Sequence, residues 1–196
     1  MADGRAILAC QGELFAIPAM KGRRMLVAHG VVVASGTVLL ALAGCGLGSP
    51  TGSAPLTETR KAAVKQEVRD FVATVARDVT QEGPRGWQKH FADDPAFFMA
   101  VDGKMQFPNG QSAREGIEYF AHIFVHVQLN WGDDLRIDPL TGDLAQVATS
   151  WHEFLLDKDG HRTEESGFLT GLVEKRDGEW QFRNAHWSEA APPMAP

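Results

Sequence analysis

The stretch Leu144–Glu189, LAQVATSWHEFLLDKDGHRTEESGFLTGLVEKRDGEWQFRNAHWSE, decides the fold class of this chain. It contains three strand-like runs, Leu144–Leu156, Thr163–Glu174 and Glu179–Trp187, rich in alternating apolar and β-branched residues. Between them lie DKDGH and RDGE, whose Asp and Gly residues supply turn chemistry. Three long runs joined by two tight turns form a meander, so neighbouring strands run antiparallel.

Upstream the pattern changes period. ETRKAAVKQEVRDFVATVARDV (58–79) spaces Val64, Val68, Phe71 or Val72 and Val75 as one face of a helix, with Thr57 placed to cap it. Gly83-Pro84 ends that helix, and RGWQKHFADD (85–94) reads as a second, short one. AFFMAVDGKMQF (96–107) is a hairpin pattern around Asp102-Gly103. SAREGIEYFAHIFVHV (112–127) returns to helical spacing, and VQLNWGDDLRI (127–137) supplies a further strand. Helices grouped before a strand meander predict an α+β domain with helices on one face of an antiparallel sheet.

The amino terminus has a different character. From Met20, Lys21, Arg23 and Arg24 precede an apolar stretch, Met25–Ala43, diluted by His29, Ser35, Thr37 and glycines. That is the layout of a secretory signal; the stretch approaches the roughly 20 residues that a membrane span needs, but its glycine and polar content and the absence of basic residues just after Cys45 weigh against a span. Leu42-Ala43-Gly44-Cys45 resembles the bacterial lipobox, which implies removal of residues 1–44 and lipidation of Cys45 as the new first residue. Residues 1–19 then read as an extension or as lying before a true start at Met20 or Met25. Two or three acyl chains hold firmly where one is marginal, at about 0.8 kcal/mol per buried methylene. The Gly, Ser and Pro of residues 46–57 make a flexible tether within 45–57, the domain occupies 58–190, and 191–196 is a tail. The expected location is therefore extracytoplasmic, at a bacterial membrane.

Charge limits the partners. The chain has 19 basic and 25 acidic residues, net −6; residues 1–44 hold four basic (Arg5, Lys21, Arg23, Arg24) and two acidic (Asp3, Glu13). That leaves 15 basic against 23 acidic beyond residue 44, net −8, a surface that repels nucleic-acid phosphates. Only Cys10 and Cys45 are present, so cleavage before Cys45 leaves no internal disulfide. No nucleotide-binding glycine motif, Cys/His cluster or nucleophile elbow occurs, and no cofactor or metal is expected.

Four segments, HFADDPAFFMAVDGK, SAREGIEYF, GDLAQVATSW and DGEWQFRNAHWSE, resemble the nuclear transport factor 2-like superfamily, which includes SnoaL-like cyclases and ketosteroid isomerases. The resemblance spans about Arg60 to Glu189. It implies a cystatin-like cone, a strongly curved antiparallel sheet wrapped over about three helices around an apolar cavity, and homodimers through the outer sheet face. It also implies site positions. Met99 falls where the isomerase base should be, and Thr170, give or take one residue, where the protonated aspartate should be. The first helix has no tyrosine, because the chain's only one is Tyr119. All three isomerase roles are vacant, so the resemblance carries fold rather than reaction.

Other polar residues have two readings each. Glu118, His122 and His126 are four apart on the expected helix, a spacing that can bind metal, but Glu118 and His122 fall opposite Ile117, Phe120 and Phe124, on a solvated face. Asp102 is either a cavity-mouth carboxylate or simply the hairpin turn. Either Glu164 or Glu165 must face inward. Strand alternation groups His186 with Trp180, Phe182 and Asn184 as the inward set, whereas the resemblance points Trp187 inward; a bulge would reconcile the two. An inward His186 is a general acid/base or a structural histidine bonded to a backbone carbonyl. The candidate catalytic residues are thus His186, Asp102 and Glu165, and the candidate cavity wall is Trp87, Met99, Tyr119, Trp151, Thr170 and Trp187. The leading functional expectation is a membrane-tethered domain holding a small apolar ligand; the alternatives are a cyclase or isomerase-type enzyme and a protein-interaction module.

Overall fold

The structure, a computed structural model, describes residues 55–190. The signal segment, Cys45, most of the tether and the tail lie outside the described residues. Helix α1 (Glu58–Glu82) begins where Thr57 accepts a 3.2 Å bond from the Arg60 amide. Its buried stripe, Val64, Val68, Phe71, Val72, Val75 and Val79, follows the helical period. Gly83, at φ 70°, ends it. The residues after it form a single 3₁₀ turn, Gly83–Trp87, instead of the expected second α-helix, because Pro84 supplies no amide hydrogen. Gly86 lets this turn lie against α1: a Cβ there would sit 2.6 Å from the Asp78 carbonyl oxygen.

Strands β1 (Phe98–Val101) and β2 (Lys104–Phe107) flank Asp102 and Gly103, both at positive φ (47° and 76°), as the hairpin pattern requires. Helix α2 (Gly110–Ile123) opens with a reciprocal Asn109–Ser112 capping box. It stops four residues earlier than its apolar spacing suggests. Phe124 begins β3 (Phe124–Trp131), so His126 lies on a strand and the predicted helical Glu118/His122/His126 set does not exist. Glu118 is instead held by Arg85 (2.9 Å) and Gln88 (2.6 Å). The expected strand over 127–137 is divided into β3 and a separate β4 (Arg136–Pro139).

The long meander is β5 (Leu144–Asp157), β6 (Arg162–Arg176) and β7 (Glu179–Glu189). The seven strands are ordered β2-β1-β7-β6-β5-β3, with β4 also on β5. The sheet is curved and mixed rather than wholly antiparallel, since β1 pairs with β7 in parallel, Ala100 opposite His186 and Val101 opposite Trp187. Sequence pattern does not reveal a partner so distant in the chain. Two α-helices and the 3₁₀ turn, not three α-helices, cover the inner face, and the core lies between them and the sheet. Among the described residues no helix is long and apolar enough to cross a membrane.

Candidate functional site

The inner face of β5 consists of Ala145, Val147, Thr149, Trp151, Glu153 and Leu155, all buried. Five of these pack like an ordinary core. Glu153 is a carboxyl group in an apolar phase, 7% exposed. Register places it opposite Glu165 on β6, and Glu189 of β7 lies opposite Gly167, two residues along. Burial first, then the charges of Glu165 and Glu189, push the Glu153 carboxyl up to about 8, so at neutral pH it holds a proton. Burial, Glu165 and Asp102 also raise Glu189. Asp102 belongs to this end of the sheet as a structural group, its Oδ1 accepting the Glu189 amide at 2.9 Å.

Next to the carboxyls lies an aromatic cluster. Trp151 and Trp187 stack at 4.3 Å and 29°, and Trp187 meets Trp87 (5.7 Å) and Trp131 (6.1 Å) edge-on. At this level the indoles fill the cone themselves. Trp131 Nε1 donates to the Val72 carbonyl at 2.8 Å. Trp151 Nε1 is buried without any partner. The Trp151 ring edge overlies Gly167, where a Cβ would lie 2.7 Å from its Cζ2 and collide with the Ser188 carbonyl oxygen; only glycine permits this approach. An open depression of about 490 Å³ borders this end of the sheet; Trp151, Gly167, Glu189 and Ala190 line it together with Ser150, Ser166, Phe168 and Ser188 of the outer face, and Glu153 and Glu165 are not part of its lining.

The sequence-predicted residues divide clearly. Trp87, Met99, Trp151 and Trp187 are buried in the interior. His186 is not: it is exposed on the outer face, paired with Thr170 of β6. The cause is a bulge at Arg183. Trp180 and Phe182 face inward, Leu172 and Val173 pair with Asn184 and Phe182, and after this slip Ala185 and Trp187 take the inward phase. Thr170 shares the outer face, with Leu169 and Gly171 buried in its place. Tyr119 is 45% exposed on α2 rather than on a cavity wall. Of the proposed catalytic set, Glu165 faces inward, Asp102 serves the hairpin and His186 is on the opposite face, so the three do not assemble.

Sequence reasoning missed Glu153 and a second buried pair, Asp78 and His90. His90 Nε2 lies 3.1 Å from Asp78 Oδ2, and Lys89 Nζ is also 3.1 Å from that oxygen. His90 is 5% exposed, and its ring meets Phe71 edge-on at 5.7 Å. Burial lowers its basicity, with Asp78 opposing. Its backbone amide donates to Trp87 and its carbonyl accepts from Phe182, so the pair fastens the segment after α1 to the core. Among the described residues, Asp157, Asp159 and His161 form one close group of possible metal ligands, but the Asp157 carboxylate is already engaged by the Asp159 and His161 amides and by the His161 ring.

No protein-family model matches the sequence, and none of the curated proteins matches it. Solved structures do. A nuclear transport factor 2-like superfamily protein from Salmonella enterica serovar Typhimurium superposes with TM-score 0.58 at 17% identity, over 67% of this chain and 94% of that one. A type 2 hexachlorocyclohexane dehydrochlorinase, LinA, gives 0.55 at 13% identity over 71% and 100%. The type 3 LinA from Novosphingobium barchaimii gives 0.54 at 13% over 69% and 92%. At such identities the likeness is one of backbone architecture, and the fold of this chain is that of the nuclear transport factor 2-like superfamily.

Proposed function

We propose that this protein is a lipid-anchored, extracytoplasmic ligand-binding domain, tethered through Cys45 and taking a small molecule at the Glu153–Trp151 end of its sheet. The observation that carries the binding half is the buried indole N–H of Trp151, unpartnered among the described residues, in a residue that lines an open depression, with the buried Glu153 carboxyl two residues along the same strand. Leaving such a group unpaired costs about 1–3 kcal/mol, a cost that a ligand bearing a hydrogen-bond acceptor would remove. The lipobox-like LAGC and the Gly/Ser/Pro tether support the anchoring half. Turnover has less support, because His186 is remote from the inward carboxyls. Mass spectrometry of protein extracted from native membranes tests both halves. The expected result is an acylated amino terminus at Cys45 and a co-purifying small molecule. An unprocessed chain refutes the anchoring; no co-purifying compound, together with no thermal shift in a broad ligand screen, refutes the binding.

A second reading concerns the outer sheet face, where Phe168 (41% exposed) stands between Ser150 and Ser188 in an uncharged cross-strand row and Phe154 (40%) lies opposite Glu164. We propose that two copies associate through this face. Sedimentation of the wild type against Phe168→Glu is the test: a monomer in both cases removes the reading.

A further inference from the structure

We propose that the small molecule bound at this end of the sheet is an uncharged carbonyl compound, its oxygen accepting the Trp151 indole N–H and its apolar body lying against Phe168. This inference rests on the ligand-binding reading above and gives that ligand a chemical class.

The place is set by the parting of two strands. The β5–β6 ladder runs from Trp151–Gly167 on to Leu156–Arg162, whereas the β6–β7 ladder ends at Gly167–Glu189. The Ala190 amide adds one bond more, 2.7 Å to the Ser166 carbonyl. The depression lies at this parting, so Trp151, Gly167 and Glu189, of the inward phase, line it together with the outward Phe168. Its 490 Å³ falls within the range of small-molecule sites, about 300–1,000 Å³.

Trp151 supplies the donor. The residue is 2% exposed, and its Nε1 has no partner among the described residues. Cζ2 and Nε1 are attached to the same ring carbon and share one edge of the indole. A Cβ on Gly167 would lie 2.7 Å from Cζ2, so this glycine places no side chain between that edge and the depression. Two neighbouring hydroxyl groups are already committed: Ser150 Oγ donates to Asp134 Oδ1 at 2.9 Å, and Ser188 Oγ donates to the Phe168 carbonyl at 3.2 Å. The complement of an indole N–H is an acceptor oxygen, because that group can only donate.

Charge selects among acceptors. No Arg, Lys or His lines the depression, and its one ionisable group is Glu189, raised by burial and then by Glu165 and Asp102. A carboxylate or phosphate ligand would meet like charge with no cation to offset it. A ketone or ester oxygen accepts the same bond without that penalty. Phe168, 41% exposed, offers an aromatic face to the rest of the molecule.

The test is calorimetry of the full chain at pH 7 with acetophenone, ethylbenzene and sodium benzoate, three single-ring probes of similar size. Indole N–H proton resonances are followed in parallel. Acetophenone should bind more tightly than ethylbenzene by about fivefold or more, the contribution of one hydrogen bond to a buried donor, and benzoate should not bind. The Trp151 N–H resonance should move with acetophenone alone. Trp151→Phe keeps an aromatic ring and removes the N–H, so it should bring acetophenone down to the affinity of ethylbenzene. The wild-type resonance decides the matter even where that variant fails to fold. Equal affinity for acetophenone and ethylbenzene, with the Trp151 N–H unmoved, overturns this inference and leaves the depression standing as a binding site. Benzoate binding most tightly overturns it in favour of an anion site. Silence of all three probes also overturns it, while the binding reading above stands or falls by its own extraction and ligand screen.

Discussion

Replacing Glu153 by glutamine is the sharpest probe of the buried carboxyl. In the folded protein Glu153 keeps its proton up to about pH 8, while in the unfolded chain the group titrates near 4.5. A carboxyl whose folded value is raised binds an extra proton in the native state between those limits, so the stability of the wild type falls as pH rises from about 4.5 to about 8. At 1.36 kcal/mol per pH unit the loss is about 3 kcal/mol at pH 7 and about 5 kcal/mol above pH 8. Glutamine has nearly the same shape and no proton to lose. The variant should therefore gain on the wild type by about 3 kcal/mol between pH 4.5 and pH 7, with a further gain of about 1 kcal/mol by pH 8. A constant offset for burying an amide, about 1–3 kcal/mol, shifts the whole curve without changing its slope. Urea unfolding of both proteins at half-unit steps from pH 4.5 to 8.5 gives the difference directly. A difference constant to within about 0.5 kcal/mol across that range would refute the assignment, because it would mean that Glu153 titrates alike in both states.

His90 should contribute with the opposite sign below pH 6.5: it is held below its ordinary 6.5, so acid protonates the unfolded chain first and its contribution falls as pH falls. The difference between Glu153→Gln and Glu153→Gln/His90→Gln in the same titration isolates that contribution and should rise with pH towards 6.5. His186→Ala should change stability by no more than about 0.5 kcal/mol, and Trp187→Ala should cost about 3–5 kcal/mol, as chemical denaturation will show; reversed magnitudes would disprove the register assigned to β7. Gly167→Ala should destabilise by about 1–3 kcal/mol and alter tryptophan fluorescence, since the methyl group displaces Trp151 or the β7 backbone.

Local pattern carried most of the architecture. The period of 3.6 in α1, the Asp102-Gly103 turn and the three-run meander are statements about neighbouring residues, and each was legible. What failed depended on distant partners: the parallel docking of β1 on β7, and the end of α2, where Phe124 leaves the helix to pair opposite Asp157. The site was legible in part. Counting by twos from Trp151 puts Glu153 in the apolar phase of β5, and counting by sevens from Phe71 puts Asp78 on the buried stripe of α1, so both signals were present in the sequence. His186 was misplaced because its strand is read correctly from either end but with opposite outcomes. Trp180 and Phe182 share one parity, Ala185 and Trp187 the other, and only the pairing with β6 reveals where the switch falls.

That switch makes β7 a strand in two phases. Upstream of Arg183 it answers to α1, through the Trp180 bond to Glu67 (3.1 Å) and the contact of Phe182 with Phe71 (5.4 Å). Downstream it answers to the tryptophans and the acidic end. Removing Arg183 would close the slip, leaving Phe182, Ala185 and Trp187 inward and His186 outward in plain alternation along the β6 ladder. The one extra residue therefore serves as a bend, by which a single strand turns from the flank of α1 towards the tryptophans without exchanging its faces.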